Sequence, residues 1–372
     1  MSNFQLKKII GVVLLALLIL PGLSITALAK DTKSKGEVAP PVSSLAEGSY
    51  FMEQTVELSS STPGVSIYYT LDGSMPTKDS ILFTKPFTIK NDITIKAIAI
   101  RGDSSSQALE VSKGKTKSEI ATFSYDFVTR EALASKFLSF EYESMPYRLY
   151  VPENYNPTKS YPLVLFLHGG GERGDDNVKH ITANDGAVVW AAPENQAKHQ
   201  AFVLAPQARN VPDGGFTVTR DSNNIVNLSR VFEFSSDLQK AYEILQKVRD
   251  TYNIDSNRLY STGLSQGGFG TFNLNIAYPD LFAAMVPIAG GADPNKVQSI
   301  ANKPIWAFHA EDDAVIPVSF TRNAIDALRN TRGNPIYTEY PSELKYNHGS
   351  WVPAYENKEM IEWVFKQSKS SN

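Results

Sequence analysis

The feature that most constrains the fold is a serine between two glycines, placed where a strand-like segment gives way to a helix-like one. The segment is "RLYSTGLSQGGFGTF", residues 258–272, and its centre matches G-x-S-x-G at Gly263, Ser265 and Gly267. In a nucleophile elbow, a sharp strand-to-helix turn strains the serine, and small residues two positions away prevent clashes. Three fixed positions recur by chance in about one in ten chains of this length, so the context has to decide.

That context is an α/β pattern that begins after Phe127. Strand-like runs such as "PLVLFLHG", "AFVLAPQ" and "PIWAFHA" alternate with helical runs in the later part of the chain. In residues 235–252, apolar positions recur at spacings of three and four behind Ser235 or Ser236 as the N-cap, which predicts a helix. The nearly continuous apolar strands suit a sheet that is covered on both faces. We therefore predict an α/β domain over residues 128–372, with a mostly parallel sheet and two antiparallel strands leading in.

Residues 42–127 show a different period. The stretch "QTVELSS" alternates Val56 and Leu58 inward, and "DITIKAIAI" places residues 93, 95, 97 and 99 on one face. Turn signals such as "TPG" and "LDGSMP" separate these runs. This pattern predicts a small all-β sandwich of immunoglobulin-like type ahead of the α/β domain.

The sequence of this region resembles a known accessory domain. Through "EGSYFMEQTVELSSSTPGVSIYYTLDGSMPT" and "ITIKAIAI" it is similar to the immunoglobulin-like domain at the C-terminus of chitobiases and β-hexosaminidases. The resemblance implies an accessory role without catalytic residues. Contact with a polysaccharide through this domain stays open, since Tyr68 is either a platform for a sugar or a packing partner across the strands.

The N-terminus carries the three parts of a secretory signal peptide. Two lysines precede an apolar run from Ile9 to Leu20, and "ALA" ends at Ala29. The alternative is an uncleaved membrane anchor, although a spanning helix needs about 20 apolar residues. We expect a signal peptide over 1–29, a polar linker over 30–41, a secreted protein and no stable membrane insertion after cleavage.

Composition excludes several kinds of chemistry. The net charge of −3 gives no basic field for phosphates, so we expect no nucleic-acid partner. The chain has no cysteine, which excludes disulfides, thiolate metal sites and a cysteine nucleophile. Covalent chemistry would have to use another side chain, and we expect neither a metal nor a cofactor.

A serine nucleophile needs a histidine base, and the base needs a carboxylate that holds its tautomer. In the α/β-hydrolase order the acid follows the serine and the histidine follows the acid. Three of the five histidines precede Ser265: His168, His180 and His199. His309 precedes the candidate acids, and His348 in "YNHGSW" follows both. The order predicts His348 as the base.

The acid is expected just after "PIWAFHA", where Glu311, Asp312 and Asp313 stand together. The pattern alone does not separate these three side chains. The stretch "FHAEDDAVIPV" resembles the acid turn of α/β-hydrolase esterases related to dienelactone hydrolase and polyhydroxybutyrate depolymerase. The aspartate of that turn lies two residues before Val-x-Pro, so the resemblance implies Asp313.

An oxyanion site requires backbone N–H groups near the reacting carbonyl. One donor is expected from Gln266, directly after the serine, and the other from the glycine loop in "HGGGERG", with Gly170 favoured. Read as a phosphate loop, that stretch lacks the G-K-[ST] ending. His168 is interpreted as a structural residue of this loop, with no metal ligand at a useful spacing.

Together, "LFLHGGGERGDDN", "GLSQGG", "FHAEDDAVIPV" and "NHGSW" resemble a group of secreted serine esterases that includes proteins labelled predicted peptidases. The resemblance covers about residues 137–367. Trp190 and Trp351 are candidates for the acyl pocket, with core packing as the alternative for each. The long polar loop over 208–232 is interpreted as a lid or binding loop, with disorder as the rival.

These observations predict a secreted serine carboxylesterase in which Ser265, Asp313 and His348 act on a small-molecule or polymer-linked ester. A serine peptidase of the prolyl oligopeptidase-like superfamily is the first alternative, because the same groups cleave amides. A non-catalytic carbohydrate-binding or cell-surface protein is the second.

Overall fold

The computed structural model describes residues 37–101, 115–211, 214–221, 223 and 225–369. The predicted signal peptide over 1–29 lies outside the described residues, and so do residues 30–36 of the predicted linker. No helix within the described ranges is both long enough and apolar enough to cross a bilayer.

The first part of the described chain is built from short strands with alternating burial. Its strands are β1 Val42–Ser43, β2 Gly48–Tyr50, β3 Gln54–Val56, β4 Leu58–Ser59, β5 Val65–Thr70, β6 Ile81–Leu82, β7 Phe87–Ile89, β8 Ile93–Arg101 and β9 Ala121–Phe127. The main sheet has the order β2-β9-β8-β5-β6, while β1 pairs with β4 and β3 pairs with β7. All these pairings are antiparallel except that of β2 with β9.

The inward positions of these strands form one hydrophobic core. Ile95, Ala97 and Ala99 of β8 are fully buried there together with Val56 of β3, because alternate residues of a strand face the same side. Val38 belongs to this core as well. The segment predicted as a linker up to residue 41 therefore packs on the sandwich at its C-terminal end.

The second part of the chain forms an eight-stranded sheet within the described residues. Its strands are β10 Leu138–Tyr142, β11 Met145–Tyr150, β12 Tyr161–Leu167, β13 Phe202–Pro206, β14 Ile254–Leu264, β15 Ala284–Ile288, β16 Trp306–Ala310 and β17 Ile336–Tyr340. The order across the sheet is β10-β11-β13-β12-β14-β15-β16-β17. The pairings of β10 with β11 and of β11 with β13 are antiparallel, and the others are parallel.

Helices cover both faces of this sheet. They are α1 Arg130–Ala134, α2 Lys179–Thr182, α3 Pro193–Lys198, α4 Ser236–Thr251, α5 Gln266–Ala277, α6 Ser319–Asn330, α7 Trp351–Tyr355 and α8 Lys358–Phe365. Val164 and Phe166 of β12 pack in one core cluster, with α1 and α8, whereas Leu163 and Leu165 pack in another, with α4. The predicted α/β class with two leading antiparallel strands is confirmed.

The β-sandwich is docked directly on the α/β domain. The Glu194 carboxylate of α3 accepts hydrogen bonds from the backbone N–H groups of Phe51, at 3.0 Å, and Met52, at 2.8 Å. The Lys358 ammonium of α8 donates to the carbonyl oxygen of Glu53 at 2.7 Å. Met52 itself is buried in the core cluster that contains Leu133. The two parts thus share hydrogen bonds and apolar packing.

Candidate active site

The turn between β14 and α5 has the geometry that the G-x-S-x-G pattern predicts. Ser265 stands between the last residue of β14 and the first residue of α5, with φ 55° and ψ −118°. This backbone conformation is strained for a residue with a Cβ. A Cβ on Gly263 would clash with the backbone of Gly267, and one on Gly267 would clash with the carbonyl oxygen of Leu167. Only glycine fits at either position.

The structure brings Ser265, His348 and Asp313 together. The Nε2 of His348 lies 2.9 Å from the Oγ of Ser265. The Nδ1 of the same ring lies 2.7 Å from the Oδ2 of Asp313. Because the carboxylate accepts, Nδ1 carries the proton and Nε2 is left to accept from the serine hydroxyl.

The Asp313 carboxylate is enclosed and well supplied with donors. Its Oδ1 accepts from the backbone N–H groups of Val315 at 2.9 Å and Ile316 at 2.8 Å, and its side chain is fully buried. Burial raises the pKa of the Asp313 carboxyl, but hydrogen bonds from His309, His348 and the Ile316 N–H outweigh it and hold that pKa well below its usual range. Asp313 is therefore ionised and available to orient His348.

The two neighbouring acids have other partners. The Oδ1 of Asp312 accepts from the backbone N–H of Asn347 at 3.0 Å. The Oε2 of Glu311 accepts from the backbone N–H of Ser342 at 3.2 Å. Glu311 is exposed and Asp312 is half-buried, and both tie the acid turn to the segment that precedes His348.

The glycine loop lies against the serine. A Cβ on Gly169 would be 3.5 Å from the Cβ of Ser265, and one on Gly170 would be 3.9 Å from the Cβ of Gln266. Gln266 is the first residue of α5, so its N–H has no acceptor inside the helix. The two predicted oxyanion donors, Gly170 and Gln266, therefore lie side by side next to Ser265.

His168 fixes this loop from inside the core. Its Nε2 accepts from the backbone N–H of Ala208 at 2.9 Å, so Nδ1 carries the proton and donates to the Gly169 carbonyl at 2.6 Å. Burial lowers the pKa of His168 to about 4, which keeps the ring neutral. In the described ranges, no three His, Asp or Glu side chains are grouped so as to hold a metal ion.

Part of the long loop over 208–232 packs beside the glycine loop. The Gln266 amide donates to the Thr217 carbonyl at 2.9 Å and to the Thr219 hydroxyl at 2.8 Å. Phe216 is fully buried, whereas Ile225 is exposed. Residues 216–219 thus pack against the site through Gln266, whereas residues 225–227 are exposed to solvent.

The two candidate tryptophans have different surroundings. Trp351 begins α7 and meets the His348 ring edge-on, with ring centroids 5.1 Å apart. Trp190 is fully buried, packs against Phe365 and donates its indole N–H to the Gly186 carbonyl at 2.9 Å. The placement of Trp190 in the acyl pocket is therefore corrected to core packing, while Trp351 stays a candidate for the pocket.

One residue at this site was not singled out from the sequence. His309, at the end of β16, places its Nε2 3.2 Å from the Oδ2 of Asp313. Its position ahead of the acids excluded it as the base. The signal that would have found it is its spacing of four residues before Asp313, across a turn that folds back on itself.

The assembled groups have the geometry of nucleophilic acyl transfer. A serine hydroxyl faces one ring nitrogen of His348, a buried carboxylate holds the other nitrogen, and the glycine loop and the start of α5 lie beside the serine.

Two family models match the chain in the two parts seen in the structure. The model described as "Putative esterase" matches residues 142–334. The model of the chitobiase/β-hexosaminidase C-terminal domain matches residues 45–111. Both resemblances inferred from the sequence are confirmed.

Individual relatives are esterases and a depolymerase. A crystal structure of a thermostable esterase is 32% identical, covers 90% of this chain and 98% of its own, and superposes with a TM-score of 0.60. "Poly(3-hydroxyalkanoate) depolymerase C" of Paucimonas lemoignei is 32% identical over 35% of this chain. "Probable feruloyl esterase C" of Aspergillus flavus is 28% identical over 39% of it. The matches span only 28% of the depolymerase and 46% of the feruloyl esterase.

Proposed function

The chain belongs to the esterase family whose model spans residues 142–334, and from that premise we propose that it is a serine carboxylesterase. Ser265 is the proposed nucleophile, His348 the general base and acid, and Asp313 the residue that orients His348. One observation carries this proposal. Hydrogen bonds of 2.9 Å and 2.7 Å run without a break from the serine hydroxyl through the imidazole to the buried carboxylate.

The reaction would follow from these contacts. As the Oγ of Ser265 attacks the ester carbonyl, its proton passes to Nε2 of His348, and Asp313 stabilises the imidazolium that forms. The alcohol leaves with that proton, and an acyl-enzyme remains. A water molecule, activated by His348 in the same way, then releases the acid and restores the serine.

Negative charge develops on the carbonyl oxygen in both half-reactions. The backbone N–H groups of Gly170 and Gln266 are the proposed donors to this oxyanion. The positive end of the α5 dipole adds to their effect, because Gln266 begins that helix. The amide of Gln266 is in turn held by Thr217 and Thr219, which supports the position of its backbone.

The proposed substrate is a small-molecule or polymer-linked carboxylic ester. One relative is named for a poly(3-hydroxyalkanoate) and another for feruloyl esters, and both names describe esters. The match of residues 45–111 to a chitobiase/β-hexosaminidase domain supports an accessory role for the β-sandwich, with contact to a polysaccharide as one such role.

We further propose that the protein is secreted and organised as the sequence predicts. A signal peptide over 1–29 and a linker over 30–41 would precede the sandwich over 42–127 and the catalytic domain over 128–372. The charge, apolar run and small residues of the N-terminus support export. Mass spectrometry of the secreted protein would locate the first residue after cleavage, which we expect to be Lys30.

A substrate panel tests the proposed activity. Nitrophenyl acetate, nitrophenyl butyrate, methyl ferulate and a set of peptide nitroanilides would be assayed with the wild-type protein and Ser265→Ala. We expect ester turnover that depends on Ser265 and little turnover of the peptides. Amide cleavage requires that His348 protonate the leaving nitrogen and that main-chain contacts align an extended peptide. Efficient Ser265-dependent peptide cleavage with negligible ester turnover would favour the peptidase, and the absence of any hydrolysis would favour a binding protein.

A further inference from the structure

We propose that His309 is a protonated positioning residue, whose imidazolium holds the Asp313 carboxylate from within the core while His348 contacts it from the site. The inference rests on the proposed function, because the residue that His309 positions is the proposed acid. His309 is the second-last residue of β16, close to the acid turn, and its ring is fully buried. The reaction steps above leave this ring unused.

The Nδ1 of His309 faces the Thr321 hydroxyl, whose single proton is already donated elsewhere. The Thr321 hydroxyl lies 2.6 Å from the Gly290 carbonyl, which only accepts, so the hydroxyl proton points to that carbonyl. The Nδ1 of His309 lies 2.7 Å from the same hydroxyl oxygen. With its single proton already used, that oxygen accepts from His309, and Nδ1 must therefore carry a proton.

The second ring nitrogen faces acceptors alone. The Nε2 of His309 lies 3.2 Å from the Oδ2 of Asp313 and 3.0 Å from the Ile316 carbonyl. Asp313 is ionised, since its other oxygen accepts two backbone N–H groups. An unprotonated Nε2 would place three lone pairs against one another in a buried space, at a cost that such sites avoid. Nε2 therefore carries a proton too.

Both ring nitrogens are donors only in the imidazolium, so the ring is positively charged. A buried cation needs a partner, and Asp313 supplies it. The other titratable groups that face the ring are His348, which binds the same Oδ2 at 2.7 Å, and Glu339 of β17, opposite His309 in the sheet register. Glu339 is already paired with Arg322 of α6 at 2.5 Å. Asp313 is accordingly the anion left for His309.

Two imidazoles therefore share one carboxylate oxygen. The charge of His309 offsets part of the negative charge that Asp313 presents to His348, and its hydrogen bond fixes the orientation of the carboxylate. His309 would then set the pH at which His348 becomes an unprotonated base, without touching the substrate. A packing role alone would have no effect on that pH.

The first test measures kcat/KM for nitrophenyl butyrate against pH. His309→Gln retains an N–H donor but removes the charge, so Asp313 holds the proton on His348 more strongly. We expect the acid limb of the profile to move to higher pH by about one unit. His180→Gln is the matched control, a second fully buried histidine whose Nε2 donates to the Ala205 carbonyl at 3.0 Å. An acid limb that stays in place in His309→Gln, or moves equally in the control, overturns the proposal.

The second test does not depend on activity. In the intact protein labelled with ¹⁵N-histidine, the ring signals of the five histidines report their protonation, and those of His309 are assigned by their loss in His309→Gln. We expect both of its ring nitrogens to be protonated at about pH 7, while His168 and His180 serve as neutral references because burial lowers their pKa to about 4 and about 3. A neutral His309 ring overturns the proposal. A protonated ring in a protein that hydrolyses no ester would sustain it and refute the proposed function instead.

Discussion

His348 meets Ser265 with its Nε2 at 2.9 Å from the serine Oγ, although 83 residues separate the two in the chain. The contact depends on two turns formed independently. One is the strained elbow after β14, and the other is the 3₁₀ turn Asn347–Gly349, which Asp312 holds through the Asn347 N–H.

Ser265→Ala should fold and lose ester turnover by a factor on the order of 10⁶, because the nucleophile is removed while the binding groups remain. The rate of nitrophenyl butyrate hydrolysis measures the loss. Ser299→Ala, at an exposed serine of the same domain, should retain full activity. A fluorophosphonate label recovered on any serine other than Ser265 would refute the assignment.

Asp313→Asn should reduce kcat by roughly 10⁴, since an amide at this position holds the wrong tautomer of His348. Asp312→Asn is the matched control, because an asparagine oxygen still accepts the Asn347 N–H. Glu311→Gln should also leave turnover near that of the wild type. If Asp312→Asn were the impaired variant, the acid would have been assigned one residue too late.

The stability of the protein should fall with acid because of two buried neutral histidines. Burial lowers the pKa of His168 to about 4 and that of His180 to about 3, whereas an unfolded histidine titrates near ~6.5. Below about pH 6.5 the unfolded chain therefore binds more protons than the folded one, and the free energy of unfolding decreases by up to about 1.4 kcal/mol per pH unit for each histidine.

The measurement is urea denaturation of the wild type and His180→Gln between about pH 7 and about pH 4.5. The variant should lose about half of the slope, because one of the two groups no longer titrates. Parallel slopes for the two proteins would show that His180 is protonated in the folded state.

Glu194→Ala should lower the free energy of unfolding by about 1–3 kcal/mol, because it leaves the N–H groups of Phe51 and Met52 without their charged acceptor. Chemical denaturation measures the change, with the exposed Glu359→Ala of α8 as the control. Turnover of small esters should stay unchanged at temperatures where the variant is folded. A large loss of turnover would mean that the docked sandwich supports the active site.

The α/β fold and the nucleophile elbow were predictable from the sequence because each carries a local signal. The elbow is recognised by Gly263 and Gly267, because the backbone around Leu167 leaves no room for a Cβ at either position. His348 was then found by chain order alone. The choice of Asp313 among three acids needed a resemblance, since nothing local shows that Asp312 turns to Asn347 instead.

What the sequence did not indicate depends on distant parts of the chain. The sequence around Trp190 suits a pocket and a core equally. Only the positions of Phe365 and Gly186 in the folded structure show that Trp190 packs in the core. The docking of Met52 beside Leu133 joins residues from two domains. The role proposed for His309 could not be predicted because it depends on the hydrogen bond between Thr321 and Gly290, which determines where the protons of His309 lie.

The positive φ of Ser265 has a consequence for how such a protein can change over generations. A residue with a Cβ in this conformation costs about 1–3 kcal/mol, which glycine does not incur. Ser265→Gly would therefore abolish the reaction and at the same time relieve the chain. An inactive descendant with glycine at this position would be more stable than the active protein, so only selection for the reaction itself would keep the serine in place.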